Sequence, residues 1–121
     1  MQLCGRDFCF YSGNDALTLP LMALGCRGVI SVAANIIPGE MAKLCAYCLN
    51  GEYAKAAELH YRYLKLMRIL FCDVNPIPVK EALHMLGLCD PELRLPLVRL
   101  DAEKRRRLRA CLADCSLPAA G

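Results

Sequence analysis

Phe8-Cys9-Phe10-Tyr11-Ser12-Gly13-Asn14-Asp15, taken together with Gly28-Val29-Ile30-Ser31-Val32 farther on, is the part of the chain from which its architecture can be read. Residues 8–11 are aromatic and apolar without alternation, and they stop abruptly at four turn-forming residues, the pattern of a buried strand ending in a polar loop. Asp15 is placed to cap a helix over residues 16–24, with Pro20 as its weak point and Gly25 closing it. Residues 28–32 are again apolar and β-branched, as expected of a parallel strand covered on both faces. Strand, helix and strand within so short a span make a βαβ unit. Two parallel strands leave open edges and form too small a sheet to stand alone, so further strands are expected from residues outside this sequence. The opening Met1-Gln2-Leu3-Cys4-Gly5 supplies no element.

Downstream the period turns helical. Ile37, Met41, Leu44, Cys45 and Cys48 share one face of a helix that starts at Pro38 and ends at Asn50-Gly51. A longer helix follows, whose buried stripe is expected at Tyr53, Ala57, His60, Leu64, Met67 and Phe71. Asn75-Pro76-Ile77-Pro78 breaks it, and both prolines suit the first turn of a third helix with Val79, Leu83 and Leu86 inward and Gly87 as its stop. Residues 93–100, with Pro96, read as an extended connector. Asp101 then caps a last helix with Leu108, Cys111, Leu112 and Cys115 in one stripe.

Composition narrows the function classes. With 121 residues, 56% hydrophobic and 22% charged, the chain is built for packing rather than disorder. Net charge is only +3, and the single basic run, Lys104 to Arg107, reads as the solvated face of a helix, so nucleic-acid binding is not expected. No apolar run reaches the roughly 18 residues of a membrane span. No signal segment opens the sequence, and a cytoplasmic protein without membrane association is the expectation. Nine cysteines are then reduced thiols used as small buried hydrophobes. Cys45-Ala-Tyr-Cys48 has ligand spacing, but it lies inside a helical pattern without a second Cys or His pair, so core packing is expected and no metal site.

Three segments, Tyr11-Ser12-Gly13-Asn14-Asp15, Gly25-Cys26-Arg27-Gly28-Val29-Ile30-Ser31-Val32-Ala33-Ala34-Asn35 and Asn75-Pro76-Ile77-Pro78-Val79-Lys80, resemble in order and spacing segments of the dihydrodipicolinate synthase family. Leu93-Arg94-Leu95-Pro96-Leu97 matches a fourth, so the resemblance covers nearly the whole chain. It implies an α/β fold: the last two βα units of a (β/α)8 TIM barrel in residues 1–50, followed by a C-terminal three-helix extension in residues 51–121. Such barrels need roughly 250 residues, and the chain is expected to be the C-terminal portion of one.

The same resemblance implies a lyase of lysine and diaminopimelate biosynthesis. Pyruvate forms a Schiff base with a lysine on the sixth strand and condenses with aspartate semialdehyde, with no cofactor, in an enzyme that is typically a homotetramer. Ile30 corresponds to the position whose backbone contacts pyruvate, and Ser12 and Gly13 match a loop near the second substrate. On residues alone, Ile30 reads equally well as barrel core and Ser12-Gly13 as an ordinary turn. Asn14 departs from the family, which has aspartate there. The five lysines, Lys43, Lys55, Lys65, Lys80 and Lys104, fall on expected helices outside the strands, and none suits the desolvated setting of a Schiff-base amine. Tyr47, Tyr53, Tyr61, Tyr63, His60 and His84 are likewise helix residues. No catalytic residue is assigned, and the chain is expected to be inactive alone. The alternatives are a helical scaffold or interaction module derived from that family and a cysteine-based metal or redox protein.

Overall fold

A computed structural model describes residues 4, 5 and 7–117. The reading of the opening residues as structureless falls largely outside this range. The elements are a single 3-10 turn at Asp15–Leu17 that runs into α1 (Thr18–Ala23), a second 3-10 turn at Ala33–Asn35, then α2 (Pro38–Leu49), α3 (Tyr53–Ile69), α4 (Ile77–Met85) and α5 (Ala102–Asp114).

The two expected strands are present only as a meeting of extended segments. Among the described residues, Ser12 and Val29 form one isolated parallel bridge. Its bonds run from Ser12 N–H to the Gly28 carbonyl and from Ile30 N–H to the Ser12 carbonyl, each 2.8 Å, with a third from Arg27 N–H to the Phe10 carbonyl. The pairing partner and the parallel sense agree with the sequence, but the length does not. On one side Ser12 is drawn into a local turn with Asn14. On the other, Val32 already has helical backbone angles, φ −79° and ψ −43°. Both chains leave the ladder after one step. Burial corrects the expectation too, since Phe8, Tyr11 and Ile30 are exposed, Ile30 by 73%. No second sheet layer or flanking strand covers them among the described residues.

The helix after the bridge is capped differently from the expectation. The Asn14 side chain, not that of Asp15, accepts from Ala16 N–H at 3.0 Å, because the first turn is a tight 3-10 turn that begins one residue early. Pro20 stands in the first turn of α1, where an N–H has no helical partner to lose. Gly25 adopts φ +107°, and the bonds Gly25 N–H to Met22 O and Cys26 N–H to Leu21 O close the helix end as a Schellman motif. Gly51 (φ +76°) ends α2 in the same way.

In α2 the expected stripe faces inward, with Met41, Leu44 and Cys48 buried beside Ile37. In α3 the stripe is rotated from the expected one. Ala56, His60, Tyr63, Leu66, Met67 and Leu70 are buried, while Tyr53 and Phe71 are exposed. The apolar residues of the second half of α3 spread over more than half of its circumference and leave only Arg62, Lys65 and Arg68 to mark the solvent side, so periodicity alone did not select the buried face. His60 is buried and its Nδ1 lacks a partner among the described residues. Burial, with the nearby Arg68 charge, pushes its pKa down and keeps the ring neutral at pH 7. In α4 the inward residues are Ile77, Val79, Ala82 and Met85, with Leu83 and Leu86 only half-buried.

The last helix matches its expectation: Leu108, Cys111, Leu112 and Cys115 are buried, and the Asp101 carboxylate accepts from Lys104 N–H at 2.8 Å. Burial pushes the Cys111 thiol up to about 11, with the neighbouring Cys115 adding to it, which suits core packing rather than reactivity. Replacing Asp101 by alanine strands that first-turn N–H and is expected to cost about 1 kcal/mol. Urea unfolding followed by helical circular dichroism checks this, and a midpoint unchanged in D101A would show that the cap is idle.

One buried charge joins the C-terminal helices. Glu81 on α4 is 2% exposed, and its carboxylate takes Nη2 and Nε of Arg99 at 3.0 and 3.2 Å and Nε of Arg105 at 2.9 Å. The connector before α5 and α5 itself are thereby tied to α4. Among the described residues, no helix is long and apolar enough to cross a membrane.

Candidate functional site

The loop that leaves the bridge is built around two side chains. Ser12, 1% exposed, donates from Oγ to the Asn14 carbonyl at 2.7 Å and accepts from Asn14 N–H at 3.1 Å. Its hydroxyl is therefore committed to holding the turn. Asp15, equally buried, reaches across to the second segment, where its Oδ2 accepts from the N–H groups of Val32 at 3.1 Å and Ala33 at 3.0 Å. Ser31 Oγ accepts from Ala34 N–H at 2.8 Å in the same turn. A carboxylate and a hydroxyl thus satisfy the free amides where the second segment turns into its 3-10 helix. These bonds set the direction in which Ile30 emerges.

Beside that loop lies an open cleft of about 640 Å³. Gly13 and Ile30 line it together with Val32 and Asn35, and the opposite wall comes from the end of α3 and from α4, with Asn75, Val79 and Lys80. Two of the three expected substrate-contacting residues, Gly13 and Ile30, are brought together. Ser12 lies behind them and does not line the cleft. An added Cβ at Gly13 would meet no atom within 4 Å, so the glycine leaves open space above the backbone.

Lys80 is the one ammonium at this cleft among the described residues. Its Nζ donates to the Glu92 carbonyl, which anchors it at the cleft edge against the connector. The sequence placed Lys80 at the start of a helix away from the strands. It comes to the cleft because α4 begins against the segment that carries Ile30, some fifty residues earlier in the chain. Asn35 and Asn75 are further polar lining groups that sequence reasoning did not single out, although both stand inside the quoted motifs. Asn35 Nδ2 donates to the Val32 carbonyl at 3.0 Å and so braces the turn.

The remaining lysines are elsewhere. Lys43, Lys55 and Lys65 have side chains 61%, 60% and 83% exposed, and Lys104 is held between Asp73 at 2.7 Å and Asp101 at 3.3 Å. None is enclosed by apolar groups. Cys45 and Cys48 pack on α2 with thiols that burial pushes up, and no group of three His, Cys, Asp or Glu side chains among the described residues is arranged to hold a metal ion. The cleft offers backbone, two amides, the Ser31 hydroxyl, the Cys89 thiol, one ammonium held by a carbonyl and an apolar floor, a lining that suits a small polar molecule.

A curated 4-hydroxy-tetrahydrodipicolinate synthase of Aquifex aeolicus (strain VF5) is 47% identical over 114 residues, which are 94% of this chain and 39% of that protein. One from Methanocaldococcus jannaschii is 50% identical over 106 residues, 88% of this chain and 37% of the relative. The crystal structure of dihydrodipicolinate synthase from Aquifex aeolicus superposes with a TM-score of 0.93 at 46% identity, over 97% of this chain and 40% of that one. The chain therefore spans about two fifths of the length of the curated relatives it matches. The model of the dihydrodipicolinate synthetase family matches residues 1–115, and with the shared fold this establishes that the chain belongs to that family.

Proposed function

We propose that this chain is the C-terminal part of a 4-hydroxy-tetrahydrodipicolinate synthase, contributing the last two βα units of a (β/α)8 barrel in residues 1–50 and a helical extension in residues 51–121. The reaction is the condensation of pyruvate with aspartate semialdehyde in a homo-oligomeric enzyme. A lysine amine adds to the pyruvate ketone and loses water to give an imine. Loss of a methyl proton yields the enamine, whose carbon attacks the aldehyde. The cleft beside the bridge is the share of the substrate site carried here. Ile30 offers backbone and an apolar side chain to pyruvate, Gly13 leaves room for the second substrate, and Ser12 shapes their loop.

The observation that carries this reading is the meeting of Gly13 and Ile30, seventeen residues apart in sequence, on one cleft at the open end of a parallel pair. The nucleophile is assigned to none of the five lysines. A Schiff-base amine must be neutral near pH 7, which requires enclosure in an apolar pocket. Three of these lysines are solvated, Lys104 sits between two carboxylates, and Lys80 is bound to a carbonyl.

Borohydride reduction of the purified 121-residue chain with pyruvate, followed by intact-mass measurement, tests this assignment. No pyruvyl adduct is expected. An adduct mapped to Lys80 would overturn the assignment and make the cleft a catalytic site in its own right.

A further inference from the structure

The basic residues of the last helix and its neighbours divide into two groups. Arg99, Lys104 and Arg105 are each matched by a carboxylate, Glu81, Asp73 or Asp101. On the other side of α5, Arg107 faces Arg68 and Lys65 of α3 across a second groove of about 590 Å³. Among the described residues, neither Arg68 nor Arg107 has a carboxylate partner. Lys65 meets Asp114 only at 3.8 Å, with both side chains largely exposed. The groove thus carries three cations against one anion, a net +2.

Between these charges the surface is apolar. Ile69 and Cys72 are half-buried and Cys111 is buried, so the groove has an apolar floor beneath its charged rim. Two guanidiniums suit the oxygens of a phosphate, which carries close to two negative charges at pH 7 and accepts paired N–H donors. An apolar floor adjoining them suits a carbon body attached to that phosphate. We infer that the groove between α3 and α5 is a binding site for a small phosphate monoester with an apolar substituent, separate from the cleft at Gly13 and Ile30.

Phenyl phosphate, inorganic phosphate and phenol are the probes, titrated into the chain at low salt and followed by calorimetry or amide shifts. Phenyl phosphate is expected to bind saturably and about tenfold more tightly than either of the others, since it alone uses both rim and floor. The double variant R68Q/R107Q is expected to lose about tenfold or more in that affinity, the worth of a charge-assisted hydrogen bond. R106Q, which removes an exposed charge next to the groove but outside its lining, is expected to leave the affinity unchanged. The inference is overturned by absence of saturation, by inorganic phosphate binding as tightly as the ester, or by equal losses in R106Q and R68Q/R107Q, which would reduce the effect to net charge.

Discussion

Replacing Glu81 by alanine is expected to destabilise the fold by about 3 kcal/mol, at the lower end of what breaking a buried ion pair costs. The magnitude follows from the geometry. The carboxylate is 2% exposed and takes bonds from two guanidiniums. Both arginine side chains are about 40% exposed, so once stranded they recover part of their hydration, which keeps the loss from the upper end of the range. The tie between α4, the connector and α5 goes with it. Urea unfolding, together with amide hydrogen exchange in α4 and α5, measures the effect. A loss under about 1 kcal/mol would place the pair among ordinary surface bridges.

The same site carries a pH dependence whose sign is fixed. Burial alone pushes the Glu81 carboxyl up, but the Arg99 hydrogen bonds and the Arg105 charge outweigh it and hold the group below its ordinary value of 4.5. The unfolded chain therefore takes up a proton before the folded one does. The stabilisation is fully present above about pH 4.5 and is lost as pH falls through the depressed folded value. Glu81→Gln removes this titration. The stability gap between the parent and E81Q is expected to narrow on acidification below pH 4.5, and a gap constant down to pH 3 would contradict the assignment.

A second large effect is expected at Asp15. Alanine there removes the acceptor for the Val32 and Ala33 amides, and Ala33 is wholly buried. Bonds to a charged acceptor contribute about 1.5–3 kcal/mol each, and an orphaned buried N–H costs a similar amount. Because stranded amides can partly relax, a total loss of about 3 kcal/mol is expected, with fast hydrogen exchange at residues 32 and 33. Asn14 still caps the preceding 3-10 turn, so the damage should remain local to the segment that carries Ile30. Asp15→Asn, which retains an uncharged acceptor, should recover about half. If D15A left exchange at residues 32 and 33 protected, the carboxylate would not be what sets this loop.

How much of this was legible beforehand varies by element. In α2 and α5 every signal lies within a few residues: Pro38 or Asp101 at the start, a narrow apolar stripe, and for α2 Asn50-Gly51 at the end. Those two helices agree with their expected faces. In α3, Leu59, Leu64, Leu66, Met67, Ile69 and Leu70 spread over more than half of the helix surface, and only packing chose Tyr63 and Leu70 over Tyr53 and Phe71. The pairing of the first and second extended segments was readable from their apolar composition and spacing, whereas its shortness was not. It depends on Ser12 and Asp15 pulling the backbone away. At the cleft, Ile30 and Gly13 were named through a family resemblance and line one wall, Asp15 was taken for a helix cap, and Lys80 was placed on a helix away from the strands.

The chain's own order of residues thus settles what interactions of short range can settle: which segments coil, where they stop, and which family the motifs belong to. Turns, caps and apolar periodicity act over one or two helical turns, so they are written in neighbouring letters. The bond from Asp15 to residues 32 and 33, the clasp of Glu81 by Arg99 and Arg105, and the cleft shared by Ile30 and Lys80 join residues 17 to 50 positions apart. These depend on the folded packing, because a carboxylate is equally acceptable to many distant donors until burial leaves it only one set within reach.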